Sequence, residues 1–225
     1  MTALADPERQ LALSYAPFAA RAPLALLWRL DERLGAIVAA AREPAIGAMR
    51  LLWWRDALIR LDDPGATVPA EPLLTAIAEL LIPAGLSGTA LSEIEEGWSV
   101  LLDDPEPAAD AIGQHGAWRG GRLFTLSAQL LGAADQQDMA SAGEGWALAD
   151  LGHRLSTGNR RMAARRAAAA TLADITPAHW PRALRPLGLL VLLAKRDAAM
   201  PADRLRHQGS PARVMRSLAY RLFGR

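Results

Sequence analysis

The sequence contains no cysteine, which excludes disulfide bonds and thiolate metal sites and leaves the redox compartment open. The N-terminal segment has no basic stretch followed by an apolar run, so no signal peptide is expected. The longest uncharged apolar stretch near the C-terminus, residues 186–194, is far shorter than the ~20 residues that span a bilayer. These absences predict a soluble, cytoplasmic protein, with peripheral contact at the inner membrane as a further hypothesis.

β-Branched residues are also scarce, whereas alanine and leucine dominate the composition. Because alanine and leucine favour helix, the composition predicts an all-α fold. Aromatic residues are few, and seven of the twelve are tryptophan. With 225 residues, half of them apolar, the chain is long enough to bury a sizeable core, and we expect a single domain over residues 1–225.

The net charge of +1 conceals an uneven distribution. Residues 1–150 carry 10 Arg and 21 Asp or Glu, a net charge of −11, whereas residues 151–225 carry 14 Arg, one Lys and 3 Asp, a net charge of +12. Either the two parts neutralise each other inside one domain, or the basic part binds an acidic partner or an anionic membrane. Binding of nucleic acid is not expected, because aromatic residues are not interleaved with the arginines.

Proline and capping residues predict where the helices begin. Asp6 followed by Pro7 is typical of a helix start, with Asp as the cap and Pro in the first turn. Similar signals predict helical segments that begin or run as follows: from Pro7, from Pro23, from Pro44 to about Leu61, over 72–82, from Ser87 or Ser92 to Leu102, over 106–132, over 138–156, over 158–173, from between Pro181 and Pro186 to Lys195, and over 211–223.

Two further patterns have more than one interpretation. The string Leu-Asp-Asp-Pro occurs at 61–64 and at 102–105, and its position beside proline favours turn and cap chemistry over a metal site. The predicted helix over 106–132 contains four glycines, which allow either close helix packing or room for a ligand: Gly113, Gly116, Gly120 and Gly121.

The most specific motif is RLLWWRDAL at residues 50–58, which follows a helical segment that begins near residue 21. These two segments resemble the opening helices of the squalene/phytoene synthase family, in which an aspartate-rich helix precedes a helix of the form R-L-x-W-W-R-x-x-L. The resemblance is specific only over residues 21–58. It implies an isoprenoid-synthase-like helical bundle around a central cavity.

The same resemblance implies two aspartate-rich helices that bind Mg²⁺ and a diphosphate, because Mg²⁺ takes hard oxygen ligands. Where the first set of aspartates is expected, this chain has Gly35, Ala36 and Ala39. Asp31 and Glu32 are alternative ligands in a shifted frame, but a solvated face, or one that forms salt bridges with Arg29 or Arg33, is the preferred interpretation. The stretch that corresponds to the second helix is 145–155, and no acidic residue lies between Leu151 and Ala173.

The missing aspartates predict a non-catalytic member of the family, with no catalytic residue, no metal site and no cofactor. A branch of the family that assists assembly of respiratory complex I resembles this chain in losing aspartates while keeping the helix that here contains Gly47, Met49, Arg50, Trp53 and Arg55. This resemblance implies a binding or assembly factor. The alternatives are a prenyltransferase with an atypical Mg²⁺ site and a lipid or membrane-surface binding protein. The expected partner is a protein or an apolar, prenyl-like lipid.

Candidate residues for the cavity or for anion binding are Arg50, Trp53, Trp54, Arg55, Arg154, Arg160 and Arg161. Trp53 and Trp54 point about 100° apart on a helix, so one is expected in the core and the other in a cavity or groove. Arg50 and Arg55 are expected to pair with Asp56, Asp31 or Glu43. The four histidines are scattered and form no zinc-binding pair.

Overall fold

The computed structural model describes residues 3–102, 108–156, 158–201, 204 and 206–223. Regular secondary structure within these ranges is entirely helical, as the composition predicted. The helices are α1 (Pro7–Leu13), α2 (Phe18–Ala40), α3 (Pro44–Ile59), α4 (Pro72–Leu80), α5 (Gly88–Ser99), α6 (Ala109–Gln114), α7 (Arg122–Leu130), α8 (Met139–Arg154), α9 (Gly158–Leu172), α10 (Arg185–Ala198) and α11 (Pro211–Phe223).

Short irregular helices complete the chain. A π-helical segment, His115–Gly121, joins α6 to α7 without a break, and single 3₁₀ turns occur at Arg60–Asp62, Pro177–His179 and Arg182–Leu184. No helix in the described part of the chain combines the length and apolarity that a membrane crossing requires.

Several predicted helix starts are confirmed by their caps. The Asp6 carboxylate accepts hydrogen bonds from the backbone N–H groups of Glu8 and Arg9, and the Ser87 hydroxyl accepts one from Ala90. The last helix begins at Pro211 and ends at Phe223, as predicted.

The start of the second helix was predicted wrongly. The helix begins at Phe18, so Pro23 lies inside it rather than at its first turn. At this position Pro23 lacks the N–H that would donate to the Ala19 carbonyl, and its ring crowds that carbonyl.

The first Leu-Asp-Asp-Pro string does supply a cap. The Asp62 carboxylate accepts hydrogen bonds from the backbone N–H groups of Gly88 and Thr89 at 2.6 and 2.8 Å, which ties the end of α3 to the start of α5. The aspartates of the second string, Asp103 and Asp104, lie outside the described residues.

Helix α8 lies at the centre of one half of the molecule, where it packs against the π-helical segment, α7, α9 and α10. Helix α2 packs against α3, α4, α5 and α7 in the other half. The two halves share one continuous apolar core, to which Trp28 of α2 is linked by an indole N–H that donates to the Ser127 hydroxyl at 3.1 Å.

Glycines bring the π-helical segment unusually close to its neighbours. A Cβ at Gly120 would lie 2.1 Å from the Gly143 carbonyl oxygen of α8, and a Cβ at Gly97 of α5 would lie 2.3 Å from the Arg119 backbone nitrogen. The close-packing interpretation is therefore confirmed at Gly120. These approaches place Arg119, which belongs to the same segment, between α2 and α8.

We expect Gly120→Ala to lower the free energy of unfolding by about 1–3 kcal/mol, because its methyl group would overlap backbone atoms of α8. Gly113→Ala is the matched control: a Cβ there meets nothing within 4 Å, and alanine is the better helix former. Chemical denaturation of both variants checks the expectation. Equal stability of the two variants would contradict the close contact between the π-helical segment and α8.

Candidate functional site

The centre of the molecule is a buried guanidinium that joins two buried carboxylates. Arg119 donates from Nε to Asp31 Oδ1 of α2 at 2.9 Å, and from one terminal nitrogen to Asp150 Oδ2 of α8 at 2.9 Å. All three side chains are almost entirely inaccessible to solvent. Arg119 thus connects the two helices that the family resemblance assigns to diphosphate binding.

Asp31 accepts four hydrogen bonds from three side chains, each on a different element. Besides Arg119, it accepts from Arg9 of α1 and from the indole N–H of Trp98 at 2.8 Å. The predicted pairing of Asp31 with Arg29 or Arg33 is wrong, because this face of α2 points into the interior.

Asp150 is also surrounded by arginines. Arg154 lies 3.0 Å from it one helical turn along α8, and Arg206 approaches to 3.3 Å from the segment that precedes α11. The four arginines and two aspartates form what we call the central ion network: Arg9, Asp31, Arg119, Asp150, Arg154 and Arg206.

The network keeps both carboxylates ionised. Burial alone would raise the pKa of Asp31, but the charges of Arg119 and Arg9 outweigh burial and hold the pKa far below its usual range. The pKa of Asp150 is likewise held well below its ordinary value, because Arg154, Arg119 and Arg206 outweigh its burial.

A second buried ion cluster attaches α11 to the body of the molecule. Arg213 pairs with Glu8 of α1 and with Asp197 of α10, and all three side chains are buried. In the Arg206–Asp150 and Arg213–Glu8 pairs, two arginines of the C-terminal part neutralise acidic residues of the first part, as the first of the two alternatives predicts for these residues.

His115 lies beneath the network and is fully buried. Its Nδ1 contacts the Gly97 carbonyl, and its Nε2 lies 3.3 Å from Arg119. Burial, reinforced by the Arg119 charge, lowers the pKa of His115 to about 3. The imidazole is therefore neutral throughout the physiological range.

A polar pocket of about 320 Å³ opens onto the network. Its wall on α2 includes Gly35, Ala36 and Ala39, the three positions at which the family resemblance implies aspartates. The carboxylates that line it are Asp6, Glu32, Asp31 and Asp150, and each is engaged by donors of the protein itself.

The pocket does not fit a Mg²⁺ cluster. Its two deepest carboxylates already accept from arginines, and the positions that face them on α2 carry no oxygen ligand. Within the described ranges, no three His, Cys, Asp or Glu side chains are grouped as a metal site requires.

An apolar groove of about 730 Å³ lies between α2 and α3 and shares Ala36 with the polar pocket. Its residues are Arg33, Ala36, Ile37, Ala40, Ile46, Met49, Arg50, Trp53, Trp54 and Glu71. We call this the α2–α3 groove.

Three of the seven candidate residues lie in this groove. Trp54 is buried, whereas Trp53 is 44% exposed, and the two rings meet edge-to-face with centroids 5.4 Å apart. Arg50 also lines the groove. The prediction that one tryptophan is in the core and the other borders a groove is confirmed.

The other arginines lie elsewhere. Arg55 pairs across to α5, 3.4 Å from Glu96 and 4.0 Å from Glu95, rather than with its predicted partners. Arg154 lines the polar pocket, but Arg160 and Arg161 line neither cavity, and Arg161 donates to the Leu155 carbonyl between α8 and α9.

Three members of the site were not predicted from the sequence: Arg9, Arg119 and Asp150. The available signals were an arginine inside the glycine-rich segment and a single aspartate in α8, but neither position indicates which residue it pairs with.

Comparison with known proteins gives no relative: no model of a protein family, no curated protein and no solved structure matches this chain. The family resemblance therefore rests on the sequence itself, specifically over residues 21–58 and elsewhere by helix order and spacing.

Asp31→Asn should lower the free energy of unfolding by about 3–5 kcal/mol, because it leaves Arg9 and Arg119 buried with one carboxylate fewer. The control is Glu96→Gln, which removes an ion pair with the 42%-exposed Arg55 and should cost about 1 kcal/mol or less. Urea denaturation at pH 7 measures both. Similar small losses in the two variants would show that the network is not needed for stability.

Wild-type stability should fall by about 2 kcal/mol between pH 7 and pH 5 because of His115. The unfolded chain binds a proton near the ordinary histidine pKa of 6.5, whereas the folded chain does not until about pH 3, so acid favours unfolding in this window. His115→Gln should flatten the profile, as measured by denaturation at pH 5, 6 and 7. An unchanged slope in the variant would show that His115 is protonated in the folded state.

Proposed function

We propose that this chain is a non-catalytic protein, similar to squalene/phytoene synthases, that binds an amphiphile with an apolar, prenyl-like chain and an anionic head group. The observation that carries the proposal is the α2–α3 groove, an apolar cavity bordered by Arg33 and Arg50. Neither arginine pairs with a carboxylate of the described residues.

The groove has the dimensions and lining of a ligand site. Its volume of about 730 Å³ lies in the range of small-molecule pockets, roughly 300–1,000 Å³. Ile37, Met49 and Trp53 supply apolar surface for a chain, and burial of that surface favours binding.

The two arginines supply recognition of the head group. Guanidinium groups form paired, charge-assisted hydrogen bonds with phosphate oxygens and need no metal to do so. In the polar pocket, by contrast, four arginines face four carboxylates, which leaves no excess positive charge for an anion.

We expect farnesyl diphosphate to bind without Mg²⁺, and farnesol to bind more weakly because it lacks the anion. Trp53→Ala should weaken farnesyl diphosphate binding about tenfold by removing apolar contact area, and Arg50→Ala should abolish the preference over farnesol. Ile59→Ala, an exposed residue of α3 outside the groove, is the control. Calorimetry measures each affinity.

The same titration tests the enzyme alternative. Mg²⁺-dependent binding followed by release of diphosphate would establish a prenyltransferase and overturn the non-catalytic proposal. Binding of neither farnesyl compound would remove the groove as a prenyl site.

A role in assembly of a respiratory complex is the second candidate function, favoured by the exposed apolar residues of α3, of which Met49 is 71% and Leu52 53% exposed. Leu52 lies outside the groove lining, so Leu52→Asp separates the two functions. In a deletion strain, the assembly role predicts loss of the assembled complex with this variant while farnesyl diphosphate binding is retained.

Peripheral contact with an anionic membrane is a separate proposal. It is favoured by the net charge of +12 over residues 151–225 and does not depend on the α2–α3 groove.

A further inference from the structure

Helix α11 has its polar and apolar faces reversed relative to a helix that packs on a core. The side chains that it buries are Arg213, Ser217 and Tyr220. Its exposed residues are predominantly apolar, and three of them are about two-thirds exposed: Met215 at 65%, Leu222 at 70% and Phe223 at 69%.

The exposed apolar residues form one continuous face. At about 100° per residue, they occupy an arc of about 180° on the side opposite Arg213. The members of this face are Val214, Met215, Leu218, Ala219, Leu222 and Phe223. We call it the α11 face.

Arginines border the α11 face on both sides. Arg221 lies at one edge of the apolar arc and Arg216 at the other, and the helix contains no acidic residue. Arg213 is not part of this border, because Glu8 and Asp197 neutralise it beneath the helix.

The turn between α1 and α2 contacts α11. The Tyr15 hydroxyl donates to the Ser217 carbonyl at 2.9 Å, and Arg221 lies over the Tyr15 ring. Three residues further on, Phe18 is 87% exposed, with Arg21 beside its ring.

We infer that the α11 face, together with Phe18, inserts into the interface of an anionic lipid bilayer. This inference rests on the proposed peripheral membrane contact and names the surface and the lipid charge that it requires. An apolar face bordered by arginines is the pattern of helices that lie in the plane of a membrane, with guanidinium groups at the level of the head groups. Charge complementarity favours a bilayer over a second copy of the chain, because two copies would bring the bordering arginines together.

Flotation with vesicles tests the inference. The full chain should float with vesicles of phosphatidylglycerol and phosphatidylcholine, and at least tenfold less with phosphatidylcholine alone. The double variant L218E/L222E should lose at least tenfold of the binding to anionic vesicles. The matched control I59E/L80E changes two exposed apolar residues on α3 and α4 and should bind as the wild type does.

Salt and the arginine variants separate the contribution of electrostatic attraction to vesicle binding from that of apolar insertion. R216Q/R221Q should bind weakly even at low salt, whereas the wild type should weaken progressively as salt rises. Circular dichroism shows whether each variant keeps its helical content, and a variant that loses it is replaced by the single substitution L222E.

The outcomes distinguish insertion of the α11 face from the more general proposal of peripheral contact with an anionic membrane. Salt-sensitive binding that survives L218E/L222E would overturn the α11 face while leaving the peripheral contact intact. No flotation with any vesicle would overturn both. A wild-type dimer in sedimentation that L218E/L222E converts to a monomer, with vesicle binding unchanged, would assign the α11 face to a second copy of the chain.

Discussion

The bridge from Asp31 through Arg119 to Asp150 is the interaction on which the centre of the molecule depends. A guanidinium buried between two helices is tolerated only when carboxylates pair with it, and a carboxylate buried beside it is tolerated for the same reason. Arg119 reaches both partners because Gly97 and Gly120 let its backbone approach α5 and α8 without a side chain between. The close packing of α5 and α8 against the π-helical segment and the central ion network therefore require each other. Because residues of the network line the polar pocket, their ion pairs also set the charge of that pocket.

Local signals were enough to predict much of the fold. Asp6, Ser87 and Pro211 marked helix starts because caps depend on residues adjacent in sequence. The start of α2 was misplaced because proline inside a second turn and proline at a first turn look alike in a sequence. The pairing of Asp31 with Arg119 joins residues 88 positions apart, and no local pattern specifies it. Helical spacing alone predicted that Trp53 and Trp54 point in different directions, but not which of the two lies in the core.

Two surfaces with different chemistry lie at separate places on the molecule. The α2–α3 groove combines apolar walls with Arg33 and Arg50, whereas α11 turns an apolar face outward between Arg216 and Arg221. The ion pairs of Arg213 with Glu8 and Asp197 explain this orientation of α11. Because these ion pairs hold the helix against the rest of the molecule, its apolar residues are not needed for that contact.

Gly35 limits which substitutions the polar pocket can accept. A Cβ at this position would lie 2.7 Å from the ring of Trp98, whose indole N–H donates to Asp31. A carboxylate cannot be introduced there unless Trp98 moves and Asp31 loses a donor. The neighbouring Ala36 and Ala39 are exposed and carry no such constraint. In evolutionary terms, a single substitution can introduce an acidic residue at Ala36 or at Ala39. At Gly35 the same substitution requires earlier changes in the surrounding core.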